Sequence, residues 1–125
     1  MSEGERVFTV DEANAMLSDL RGRLTRIRDA REVVLRTSTL VKDRVAADGG
    51  GVAGEPAYFE AGRVLRAELE HLAEHDVVLR DPQSGLVDFP GEVEERRVWL
   101  CWRVGEERVA HFHELDSSFS GRKPL

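Results

Sequence analysis

The chain has 125 residues, 41% hydrophobic and 34% charged, with a net charge of -6. That length suits one domain, and the acidic balance argues against a nucleic-acid binder. No apolar run reaches membrane-span length, the acidic start MSEGERVF lacks a signal-peptide core, and one cysteine excludes an internal disulfide framework, so a soluble cytoplasmic protein is expected.

The first helix begins at a capping box. Thr9 accepts from the amide of Glu12, and Glu12 reaches back to the amide of Thr9. Leu20, Ile27, Val34 and Val41 then fall seven apart, with Leu17, Leu24 and Val45 on an interleaved row that Arg31 and Ser38 interrupt. That is a coiled-coil-like seam. One continuous helix over 10–46 would span about 55 Å and would need a partner along its apolar stripe.

Four glycines within 49–54 read as a helix-hairpin turn. They lack the Gly-Lys-Ser/Thr ending of a phosphate loop. Pro56 suits the first turn of a second helix, reaching about residue 75, with Tyr58, Leu65 and Leu72 seven apart. The second helix is the natural antiparallel partner of the first but is about half as long. The unmatched length favours a homo-oligomer through the long helices. His71 and His75 sit four apart, among Glu70, Glu74 and Asp76, and read as a solvated face.

After Asp76 the pattern turns to strands. Val77 to Leu79 is a short β-type run, Asp81-Pro-Gln-Ser-Gly85 a turn, and Leu86-Val-Asp-Phe-Pro90 an extended segment closed by Pro90-Gly91. The stretch 97–104 alternates and returns over 109–114, with Gly105-Glu106 as a two-residue turn. The tail, 116–125, has loop composition. The predicted architecture is α+β: a long antiparallel helical hairpin over about 10–75, then a small antiparallel sheet and tail over about 77–125.

Candidate chemistry collects near the C-terminus. His111 and His113, two apart on a strand, would share a face about 6.5 Å apart. Two imidazoles and a carboxylate can hold a divalent transition metal, zinc or iron, with Glu114, Asp116 or Glu12 as third ligand. The ordinary alternative is one packed histidine and one surface histidine. The even loop would pair Trp102 with Val109, Leu100 with His111 and Val98 with His113, placing Cys101 and Arg103 on the opposite face. A three-residue loop with a bulge would reverse that pairing. Cys101 otherwise reads as a small buried apolar residue. Arg103 would ordinarily pair with Asp88 or Glu12. Its functional role, with Arg122, would be to clamp a small anionic ligand.

Phe8-Thr-Val-Asp-Glu-Ala-Asn14, Gly85-Leu-Val-Asp-Phe-Pro90, Leu100-Cys-Trp-Arg-Val-Gly-Glu106, His113-Glu-Leu-Asp116 and Gly121-Arg122 with Pro124-Leu125 together resemble the bacterial and archaeal family called domain of unknown function 2203. The resemblance covers essentially the whole chain. It implies a long helical hairpin with a small β element. In the family pattern His113 follows an aromatic pair often ending in tryptophan; here His111 and Phe112 stand there, which leaves His113 as the family-typical residue. The resemblance also groups Glu12 and Asn14 with Arg103, Glu106, His113 and Arg122, as a shared site or a shared buried network. Two functional expectations follow. One is a polar, metal-binding ligand site between the start of helix one and the C-terminal hairpin, led by His113 as ligand or acid–base group. The other is a non-catalytic oligomerisation module whose polar cluster is structural.

Overall fold

The computed structural model describes residues 6–48 and 56–125. Helix α1 (Val10–Ala15) is followed by the long α2 (Leu17–Asp48) and by α3 (Pro56–Glu74). The capping box forms as expected: Glu12 N–H donates to Thr9 Oγ1 at 3.0 Å, and Thr9 N–H donates to Glu12 Oε1 at 2.8 Å. The single helix expected over 10–46 is instead broken at Met16. There the amide donates to the Ala13 carbonyl, three residues back, at 3.1 Å. A three-residue spacing tightens the turn and ends α1. The glycine-rich turn read over 49–54 lies outside the described residues.

Leu17, Leu20, Leu24, Ile27 and Ala30 are buried, but Val34 and Val41 are only half-buried. The apolar seam is thus used in full over its first half. Here α3 packs against α2, and the contacts include a buried carboxylate. Glu68 accepts from Arg23 NH1 and Arg26 Nε, both at 2.6 Å. Burial alone would raise the Glu68 pKa, but the two guanidiniums outweigh it and hold it below the usual carboxylate range. Asp76, with φ at 59°, turns the chain out of α3, and Val77 N–H caps back onto the Leu72 carbonyl.

A five-stranded antiparallel sheet follows, in meander order: β1 (Val78–Asp81), β2 (Leu86–Val93), β3 (Arg96–Arg103), β4 (His111–Glu114) and β5 (Lys123–Pro124). Three expectations are corrected here. First, β2 does not close at Pro90-Gly91 but runs on to Val93. Proline is tolerated because pairing with β1 ends at Asp88, so no ladder donor is needed at Pro90. Gly91 suits the strand because a Cβ there would lie 2.6 Å from Leu100 Cγ. Second, the tail is not only loop: it makes a 3-10 turn (Phe119–Gly121) and adds β5 to the sheet. Third, the β3–β4 register differs by one residue, for a reason given below.

Val87, Phe89, Val98, Leu100 and Trp102 are fully buried on one sheet face. With Phe8, Leu17, Leu20, Leu24, Ile27 and Leu72 they form one apolar cluster, so helices and sheet share this core. Phe8 is pinned by its amide to the Pro90 carbonyl at 2.7 Å and by edge contact with Phe89.

Candidate metal centre

Register decides which side chains meet. The turn after β3 is centred on Val104-Gly105, one residue before the expected position. Glu106 N–H donates to the Arg103 carbonyl at 3.0 Å, and Gly105 takes φ of 106°. Glycine therefore stands third in the turn rather than as first loop residue, a position open to positive φ. Glu106 Oε1 also accepts from Arg103 N–H at 2.8 Å. Pairing resumes only at His111, giving Cys101 opposite His111, Leu100 opposite Phe112 and Trp99 opposite His113. In an antiparallel pair, opposed residues share a face. Cys101 therefore lies with both histidines, not apart from them. The pairing of Asp88 with Cys101 across β2 and β3 brings a carboxylate to the same face.

The result is a buried group of three. Asp88, Cys101 and His113 each offer a ligand atom, and these atoms lie within 4.8 Å of one another. Asp88 and His113 are 1% and 2% exposed. Asp88 Oδ2 accepts from Arg80 Nε at 2.8 Å and lies 2.9 Å from His113 Nε2. Asp88 Oδ1 is buried with no hydrogen-bond partner among the described residues. His113 Nδ1 lies 3.0 Å from the Glu114 carbonyl oxygen. Both ring nitrogens thus face acceptors, whereas a neutral imidazole carries a single N–H. Each acceptor also has another donor: Arg80 Nε for Asp88 Oδ2, and the Ser117 amide for the Glu114 carbonyl at 3.0 Å.

Burial pushes the Cys101 thiol up to about 11, helped by the charge of Asp88 and opposed by Arg122. Arg122 NH1 lies 3.9 Å from the sulfur. Arg122 is itself held by both carboxylate oxygens of Glu106. For Glu106, burial works against ionisation, but Arg122 and the Arg103 amide prevail and hold its pKa below the ordinary value.

The remaining candidates fall into separate places. His111 is half-buried on the site's face and stands opposite Cys101. Glu114 is engaged elsewhere, accepting from Arg96 Nε and NH2 at 3.0 and 2.9 Å. Glu12 is exposed and occupied by the cap of α1. The link between α1 and the hairpin runs instead through Asn14, whose Oδ1 accepts from Val109 N–H at 2.7 Å. Arg103 packs over the Phe119 ring at 4.7 Å, with Arg122 over the same ring at 4.3 Å. Asp88 takes Arg80 as its guanidinium partner, not Arg103. Asp116 is exposed.

In the sequence, Asp88 stood only as a carboxylate partner for Arg103, and Arg80 was not singled out. The signal for Asp88 was present: one carboxylate inside Leu86-Val-Asp-Phe-Pro90, on a strand otherwise apolar, is costly unless paired. Arg80 carried no such signal. The site lies on the sheet face turned away from the shared core, with a cavity of about 490 Å³ beside it whose walls include Asp88, His113, Arg80 and the 117–120 turn.

Over residues 6–125 the chain matches the family of uncharacterized conserved proteins designated DUF2203. The chain belongs to that family. No curated protein and no solved structure matches it. His113 is the most buried of the histidines, and the Glu106–Arg122 pair stands against Cys101. No helix among the described residues is long and apolar enough to cross a membrane.

Proposed function

We propose that this single-domain protein binds a divalent transition metal, zinc or iron, through Asp88, Cys101 and His113, and presents it to a ligand in the adjoining cavity. One observation carries the reading: both His113 nitrogens face acceptors, one of them a backbone carbonyl. A metal-ligating histidine characteristically donates its other N–H to such a carbonyl, leaving the first nitrogen free for the ion. The donor set fits. Asp88 Oδ1 is buried and unbonded among the described residues, and a carboxylate plus a thiolate neutralise a divalent ion. Three protein ligands leave a position open, as in catalytic rather than structural zinc sites. A bound ion would supply Lewis acidity and an activated water. The chain's own groups do the rest. Arg80 holds Asp88, Arg122 favours the Cys101 thiolate, and His113 is the lead ligand. On this reading Arg103 and Arg122 act through Phe119 and Cys101, and His111 stands in reserve beside Cys101. Glu12 and Glu114 serve the fold. The protein works in the cytoplasm, where free thiols stay reduced.

The test is metal analysis of protein purified without a histidine tag, followed by Co(II) substitution. A stoichiometric metal and a thiolate-to-cobalt absorption band are expected. Both should weaken by more than about 100-fold in affinity in Cys101→Ser and His113→Ala, beyond the loss typical for outer partners. Absence of the band in the folded wild-type protein would overturn the reading.

A second reading concerns the helices. We infer that α2 and α3 form a hairpin that self-associates. Asp19 lies near His71, while Arg26 bonds Glu68, so the contacts run in opposite chain directions. Leu35, Leu40 and Phe59 are 50%, 53% and 57% exposed on these helices. Sedimentation analysis should show an oligomer that Leu35→Glu with Phe59→Glu dissociates; a monomeric wild type would sink the idea.

A further inference from the structure

We propose that the cavity beside the Asp88–Cys101–His113 group binds a small oxyanion ligand, a carboxylate or phosphate on an apolar body, held by Arg80 and the serine turn at 117–120. The proposal deepens the metal reading and shares its site, but its grip lies in other residues.

Arg80 is the cation in the cavity wall. Its Nε is spent on Asp88, while its two terminal nitrogens make no hydrogen bond among the described residues. Those two nitrogens form the fork that matches a carboxylate or phosphate edge. The guanidinium also lies 4.9 Å over the Trp99 ring, which restrains its plane, and the side chain remains 42% exposed. It is therefore positioned by two contacts and still open to a ligand.

Ser117, Ser118 and Ser120 line the same cavity as Arg80. The Ser118 and Ser120 hydroxyls are hydrogen-bonded to each other at 3.2 Å, so one hydroxyl proton remains to donate to an oxyanion, and rotation of the other would release the second. Gly121 lets the turn lie close to Ser117: a Cβ there would lie 2.1 Å from Ser117 Oγ and displace that hydroxyl. Phe119, clasped by Arg103 and Arg122, anchors the same turn. The two arginines expected to clamp an anion thus shape the wall, and Arg80 is the one that meets it.

Leu86, Leu115 and Phe119 supply an apolar wall. Leu115 is 57% exposed, and the apolar body of a ligand would cover it. Arg80, paired to Asp88 at 2.8 Å, offsets the carboxylate's charge towards an anion in the cavity. Size, charge and an apolar side together select a small organic acid or phosphate ester over a bare ion or a neutral compound.

The probes are phenyl phosphate and benzoate, against inorganic phosphate, acetate and benzyl alcohol, titrated calorimetrically into metal-free and Co(II)-loaded protein. We expect phenyl phosphate or benzoate to bind at least tenfold more tightly than the bodiless anions, with benzyl alcohol not competing. Which of the two probes binds better separates a phosphate ligand from a carboxylate. Arg80→Gln should weaken binding at least tenfold. Because Arg80 also steadies Asp88, Ser118→Ala with Ser120→Ala provides an independent variant, expected to lose several-fold in probe affinity while the cobalt spectrum stays unchanged. No binding of either probe to folded protein, or binding untouched by both variants, overturns the proposal. Cobalt binding without probe binding would sink this proposal alone. Probe binding with Arg80 and serine dependence but no cobalt band would sink the metal reading alone.

Discussion

One face of the sheet carries Val87, Phe89, Val98, Leu100 and Trp102, all fully buried against the helices. The other carries Asp88, Cys101 and His113, equally buried but among arginines, serines and the C-terminal turn. Both faces come from the same residues' alternation along β2, β3 and β4. On the first, volume and apolarity suffice, since close packing supplies the stability. On the second, each group needs a specific partner, and Asp88 Oδ1 has none among the described residues. Burial of a carboxylate costs stability unless its charge is answered. The outer face thus gives up stability that the inner face supplies.

That contrast can be broken by mutation. Phe89→Ala, on the inner face, should cost about 3–5 kcal/mol by denaturant melts, through the cavity it leaves. Asp88→Ala, on the outer face, should cost less, about 1–3 kcal/mol, while abolishing cobalt binding. Equal costs, or retained metal, would erase the distinction. Glu68→Gln, between the helices, should cost about 1–2 kcal/mol, since Arg23 and Arg26 remain partly solvated. The Glu68 contribution also carries a pH signature. Its folded pKa is lowered from 4.5, so its stabilisation is present above that value and lost as pH falls through the folded pKa. An acid melt should show wild type and Glu68→Gln converging below pH 4.5.

A smaller gain should come from the β2–β3 turn. Glu94 and Glu95 take φ of 51° and 65°, where asparagine and glycine are favoured in a two-residue hairpin. Replacing the pair by Asn-Gly should add about 1 kcal/mol, with no change in metal or probe binding. Leu115→Ala should move stability by no more than about 0.5 kcal/mol, yet weaken phenyl phosphate or benzoate, if the exposed leucine serves the cavity. Finally, the thiol sharpens the outer face chemically. The unfolded chain's cysteine ionises near 9.0 and the folded one near 11, so stability held below pH 9.0 should be lost as pH rises towards 11. On the metal proposal an ion must displace that proton, so its affinity should climb about tenfold per pH unit across neutral pH.

Much of this was legible in the residues. Thr9 and Glu12 announced the cap because a capping box is a local, four-residue device. Leu17 to Ile27 announced the buried helix face by period. The α+β order and the antiparallel strands followed from composition and alternation. The site did not follow, because it depends on parity, and parity on one turn. Gly105 could stand first or third in that turn, and the sequence Arg103-Val-Gly-Glu106 satisfies both until Glu106 bonds back to Arg103. His113 was legible as the residue to test. Its partners were not: Asp88 reaches it through strand pairing two hairpins deep, and Arg80 through a strand of four residues. The break at Met16 is a shortening by one hydrogen bond, which hydrophobic period does not record.

Asp88, Cys101 and His113 sit on consecutive strands of a meander, with spacings of thirteen and twelve residues. Short loops close early in folding, before distant segments meet. Strand pairing, rather than helix packing, brings the group together. A slip of one residue would send Cys101 inward and leave Asp88 and His113 without it. An ion encountered by the nascent hairpins would reward only the correct alignment, acting as a proofreader of strand pairing before it serves any ligand.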